Sequence, residues 1–297
     1  MARANLRKTY GAIAVGVVAI GWSAIFVRWA QMPGIASAFY RMFIASVVLW
    51  PLVLLSGVRV RGMSRRAYVL AGLSGVFFAG DIGMFNTAVL HTSAGSATFL
   101  SNNAPLLVGL LTWAVTRRLP AGRFWIALVI ASAGAWMIVS VDANHAESEL
   151  GADLLAVGAS ACFALYLITT EWVRKDMDTR VLVAISATSS AVVLLIAGVV
   201  ANVPLAVPST KALGAVVGLG LVCQITGYFC LTHALGHLPA TVTSVMLLAV
   251  APVTAMLALG FFNERMTWLQ LVGGVLVLFG MWIVSRGPKV ALREDAA

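Results

Sequence analysis

The chain has 297 residues, of which 61 % are hydrophobic and 10 % charged, with a formal net charge of +9. A water-soluble protein carries about a quarter charged residues, so this composition excludes a soluble globular domain and assigns the apolar stretches to lipid. Backbone groups in hydrocarbon must satisfy one another, which long unbroken apolar runs do as helices; the ten-residue alternation of a membrane barrel is not seen.

At about 20 apolar residues per span, ten spans are predicted: residues 9–30, 34–56, 66–90, 93–116, 121–141, 151–173, 179–201, 209–235, 239–262 and 267–285. The first is kept as a span, not a signal peptide, because no soluble-looking sequence follows it. In that span Trp22 and Phe26 share a helical face. The second carries Arg41, the one basic residue counted within a span, and the third carries Asp81 well inside it. An intramembrane acid marks a functional site by default. Asp81 could bind a substrate ammonium, carry a proton, or pair with Arg41. At about 1.5 Å rise per residue the two differ in depth by roughly 6 Å, within reach of an arginine side chain. Ala71, Gly75, Ala79 and Gly83 form a small-residue stripe on the same helix, suited to close helix approach.

In the fourth span Gly95, Thr98 and Asn102 share a face beside Pro105, and Pro252 occupies the matching place in the ninth. A mid-helix proline frees the carbonyl four residues earlier, here those of Ser101 and Leu248. Matched interruptions in two halves point to a binding site; packing kinks are the other reading. The amides of Asn102 and Asn103 suit a zwitterionic solute or, equally, interhelical hydrogen bonding. Ala127, Ala131 and Ala135 repeat the small-residue pattern on the fifth span. Phe163 and Tyr166 share a face of the sixth, an aromatic wall or a packing surface. Gly220, Gln224, Tyr228 and Thr232, each four apart, make a polar stripe on the eighth, which places Gln224 and Tyr228 at a cavity. His91 and His237 sit in matching turns and are read as neutral turn residues. Cys162, Cys223 and Cys230 lie in apolar runs, as packing residues and not as disulfides or ligands. No metal or cofactor site is read.

With the N-terminus inside, sixteen Lys and Arg fall in cytoplasmic segments, among them Arg65, Arg66, Arg117, Arg118, Arg174 and Lys175; Arg28, Lys211 and Arg265 fall outside. Both termini are therefore expected in the cytoplasm. The same clustering argues for topology over nucleic-acid binding as the use of the positive charge.

The longest polar linker divides the chain into halves, 1–145 and 146–297. Residues 88–91 match 234–237, Pro105 matches Pro252, and 138–140 match 283–285, at offsets of 145 to 147. Five spans per half is odd, so the second half is expected upside-down relative to the first, an all-α inverted repeat with a substrate site near the midplane.

The second half reads PATVTSVMLLAVAPVTAMLALGFFNERMTWLQLVGGVLVLFGMWIV, with Pro252, a helix-ending Glu264 and glycines Gly273, Gly274 and Gly280; the first half reads HTSAGSATFLSNNAPLLVGLLT, with Arg41 early in the second span. Nearly the whole chain resembles the ten-helix EamA-type branch of the drug/metabolite transporter superfamily, departing at Arg117, where many members carry Glu. The resemblance implies export of amino acids and related metabolites across the bacterial inner membrane. The expected protein is a monomeric secondary transporter of neutral or aromatic amino acids working by alternating access. Export of drugs, purines or other small solutes on the same fold is the alternative. Proton coupling through Asp81 and passive facilitated export are both compatible. A channel or receptor would show a filter-like loop or charge ring, an intramembrane enzyme a nucleophile, base or metal cluster, and an ATP-driven pump a Walker A motif. None is present in the sequence.

Overall fold

The computed structural model describes residues 2–58, 60, 62–91, 100–101, 103–140, 150–262 and 267–286, and among these every regular element is helical. In chain order, α1 comprises Ala2–Gly21 and Ser23–Ala30, α2 is Gly34–Leu55, α3 Arg65–His91, α4 Ala104–Thr116 and α5 Gly122–Val139. The second half follows with α6 Leu150–Val173, α7 Thr179–Val200, and α8 in three joined parts, Thr210–Gly218, Leu219–Tyr228 and Phe229–Leu235. It ends with α9 in two parts, Ala240–Leu247 and Val250–Phe262, and α10 Trp268–Ser285. Nine of these are long and apolar enough to cross a membrane, and Ala104–Thr116 is a shorter apolar helix. The expected start of the fourth span at residue 93 lies outside the described residues.

Three spans are not uniform helices, and of these breaks only the one in the ninth was expected, from Pro252. α1 breaks at Trp22, where Thr254 Oγ1 donates to the Gly21 carbonyl at 3.0 Å. α8 carries a ten-residue π-helical stretch, Leu219–Tyr228. α9 is interrupted at residues 248–249. Hydropathy is blind to all three, because hydrogen-bond spacing within an apolar run leaves its composition unchanged.

Helix starts follow ordinary chemistry. The Asp178 side chain caps α7 by accepting from the Arg180 amide, Ser209 caps α8, and Thr267 with Gln270 forms a capping box on α10. Outward-facing Val47, Ile126, Val199 and Val275 expose more than half their surface, an apolar belt that only lipid covers favourably.

Most packing runs between the halves, and in matched pairs. α3 packs on α6 and α7, as α8 packs on α1 and α2; α4 packs on α6, as α9 packs on α1; α2 meets α7, α4 meets α9 and α5 meets α10. Small residues set the closest approaches. A Cβ on Gly75 would lie 2.3 Å from the Ser186 carbonyl of α7, so the α3 stripe faces α7. Gly134 and Gly273 approach each other so closely that a Cβ on either would meet the other's carbonyl oxygen at 2.4 to 2.5 Å. Further along, Gly280 lies against Ala127 and Ala131. Rising numbers on α5 thus meet falling numbers on α10. The fifth helix of one half runs antiparallel to the fifth of the other, which is the inversion expected from an odd count of spans.

Candidate functional site

Near the middle of the bundle α2, α3, α6 and α8 converge, with the α1 break beside them. Arg41 of α2 is 7 % exposed. Its Nε–H donates to Gln224 Oε1 at 3.1 Å and its Nη1–H to Ser23 Oγ at 3.2 Å, whereas Nη2 is buried without a hydrogen-bond partner. The guanidinium carbon lies 5.1 Å from the Tyr228 ring centroid and 5.8 Å from that of Phe78, within cation–π range. Both acceptors come from irregular helix: Ser23 follows the α1 break, and Gln224 lies in the π-helical stretch of α8. Such stretches are frequent at functional sites.

An aromatic group continues from the arginine. Phe78 packs on Tyr166 at 4.7 Å and on Tyr228 at 4.6 Å between centroids, and Phe163 stacks on Tyr166 at 5.9 Å. Asp81, one turn beyond Phe78 on α3, makes no hydrogen bond or ion pair with any described residue and keeps some accessible surface. Arg41 is the neighbouring charge that acts on it. The direct Arg41–Asp81 ion pair that their depths permit is not formed. Neutral oxygens from the two interrupted helices, α1 and α8, hold the guanidinium instead. The Tyr166 phenol faces the hydroxyls of Thr170 and Thr232. A buried phenol beside two hydroxyls gives the membrane-embedded centre a polar side next to its rings.

A small cavity of ≈ 10 Å³, room for about one water molecule, is lined by Ser23, Ser37, Arg41, Ile82 and Asn86. Ligand pockets run to roughly 300–1,000 Å³, so the bundle is contracted here. Ser37 Oγ and Asn86 Nδ2 both donate to the Gly34 carbonyl.

Of the residues singled out from the sequence, Asp81, Phe163, Tyr166, Gln224 and Tyr228 come together around Arg41. Trp22 and Phe26 do share a face, stacked at 5.7 Å, but they join Trp29 and Phe261 in a separate aromatic cluster. Thr98 and Asn102 lie outside the described residues. Pro105 and Pro252 fall in the first turn of their helical segments and not mid-helix, where a missing N–H leaves no intrahelical bond unmade. The Leu248 carbonyl, expected to lose its partner, accepts from the Ala251 amide at 3.2 Å. Sequence reasoning passed over Ser23, which carries no periodic signal, and Phe78, whose i, i+3 spacing to Asp81 places both on one face.

At the C-terminal end of α6, Glu171 Oε2 accepts from the Ala240 amide that starts α9, at 2.9 Å. Arg174 donates Nε–H to the Thr232 carbonyl at 3.2 Å and Nη1–H to that of Met177. Burial holds this guanidinium below the usual arginine range, with Asp178 opposing. His237 Nδ1 sits 3.0 Å from the His233 carbonyl.

The model of the EamA-like transporter family matches residues 7–140 and again 150–286. The chain is 28 % identical over 239 residues to the uncharacterized transporter YwfM of Bacillus subtilis, covering 78 % of each. It is 23 % identical over 218 residues to the threonine/homoserine exporter RhtA of Salmonella typhimurium, covering 71 % of this chain and 68 % of that one. A solved crystal structure superposes with a TM-score of 0.78 at 17 % identity, over 92 % of this chain and 96 % of the other; that likeness concerns the fold. Its relatives and family are transporters and not enzymes, and the paired helices, the two matched halves and the polar centre all agree: the protein is a multi-pass membrane protein that belongs to the EamA-like transporter family of the drug/metabolite transporter superfamily.

Proposed function

We propose that the protein exports small zwitterionic metabolites, neutral amino acids with apolar or aromatic side chains, across the bacterial cytoplasmic membrane by alternating access between the halves. The observation that carries this reading is Asp81, a carboxyl group inside the bundle, partly accessible and bonded to no described residue, beside the Phe163, Tyr166 and Tyr228 rings. The acid suits a substrate ammonium and the rings an apolar side chain. The similarity to a threonine/homoserine exporter supports the same class. In this reading the working unit is a monomer, since ten helices can enclose a cavity alone.

Counterflow into proteoliposomes tests this with labelled threonine, phenylalanine and tryptophan, a purine and a quaternary ammonium dye. Saturable exchange of the amino acids, and not of the dye, is expected. Movement of the purine or dye alone would leave the transporter and remove the amino-acid reading.

A further inference from the structure

We infer that Arg41 is the anchor for a substrate carboxylate, received on the free edge of its guanidinium. The inference rests on the amino-acid reading above and adds what that reading lacks, the group that recognises the acid end. An arginine side chain has five N–H donors. Here one is given to Gln224 and one to Ser23. The two on Nη2 have no partner, and one remains on Nη1.

These three open donors lie on adjacent nitrogens, the fork that takes both oxygens of a carboxylate in parallel bonds. Gln224 and Ser23 fix the plane of the fork, while the Phe78 and Tyr228 rings lie against the guanidinium and leave its edge for a ligand. Buried open donors on a full charge are costly, and no described residue accepts a hydrogen bond from Nη2. Of the polar groups that line the adjoining pocket, Ser37 gives its hydroxyl donor and Asn86 one of its two N–H donors to the Gly34 carbonyl, and neither is charged. Arg41 is therefore the charged donor that a solute in this pocket meets.

The Asp81 carboxyl group is likewise bonded to no described residue. A zwitterion set between the two satisfies both, which a simple amine or a simple acid does not. Nη2 is covered in this contracted state, so the carboxylate engages as the pocket widens.

The test is a matched competitor series against labelled phenylalanine counterflow: phenylalanine, its amide and 3-phenylpropionate. In the wild-type protein the amide is expected to compete about ten-fold or more weakly than the acid, the loss of a charge-assisted bidentate contact. Arg41→Gln is expected to abolish the preference and Arg41→Lys to restore part of it. Equal competition by acid and amide in the wild type overturns the inference without any variant, as does an Arg41→Gln protein that keeps the preference. If phenylalanine and threonine do not exchange at all, the amino-acid reading fails by itself. The anchor is then decided by thermal unfolding with 3-phenylpropionate and acetate: stabilisation of the wild type and not of Arg41→Gln supports it, and equal or absent stabilisation overturns it.

Discussion

Arg41 and Gln224 hold the two halves of the chain together through one buried hydrogen bond of 3.1 Å across 183 residues of sequence. Neither side chain exposes more than a tenth of its surface. The bond joins a guanidinium to a neutral amide, so the group is oriented without an ion pair.

Replacing Gln224 with Leu removes the acceptor and leaves the Nε–H buried and open. The expected loss of stability is about 1–3 kcal/mol, read as a lower unfolding temperature of the purified protein in detergent. Counterflow should fall as well, since the guanidinium plane is released. An unchanged unfolding temperature would mean that the bond contributes nothing net.

Asp81→Asn is expected to separate stability from transport. The carboxyl group has no bonded partner among the described residues, so the substitution breaks no hydrogen bond. Thermal stability should hold or rise while amino-acid counterflow drops by about ten-fold or more, the scale of a charge-assisted contact. A fall in both would make Asp81 a structural partner of Arg41 through space. Intact counterflow would remove it from the transport path.

Gly134→Val should be among the most damaging changes in the bundle, because its Cβ would meet the Gly273 carbonyl oxygen at 2.4 Å and backbone cannot step aside as a side chain can. A loss of about 1–3 kcal/mol is expected. Gly122→Ala, where nothing lies within 4 Å, should stay within about 0.5 kcal/mol. Equal unfolding temperatures for the two variants would refute close α5–α10 packing.

The architecture was legible because hydropathy run lengths encode spans directly. The second span was predicted at 34–56 and is Gly34–Leu55, and the offset of Pro105 from Pro252 already carried the duplication. The four-residue spacing of Gln224 and Tyr228 does bring both to Arg41. It could not say which faces meet. Arg41 was read against Asp81 by depth alone, yet its bonded partners come from α1 and α8, a pairing set by tertiary packing. Trp22 and Phe26 were correctly placed together and then found beside Phe261, a residue more than two hundred positions away. The prolines were placed in the right helices, but a helix that stops just before proline needs no kink, and hydropathy does not distinguish the two.

The contact between Glu171 and the Ala240 amide has a mechanical meaning. The first amides of a helix have no partner within it, and in an apolar setting such a group is expensive to strand. The α9 amide is held by a carboxylate carried on α6, the helix that also bears Phe163 and Tyr166. The start of the broken helix and the aromatic wall are thus tethered as one moving part.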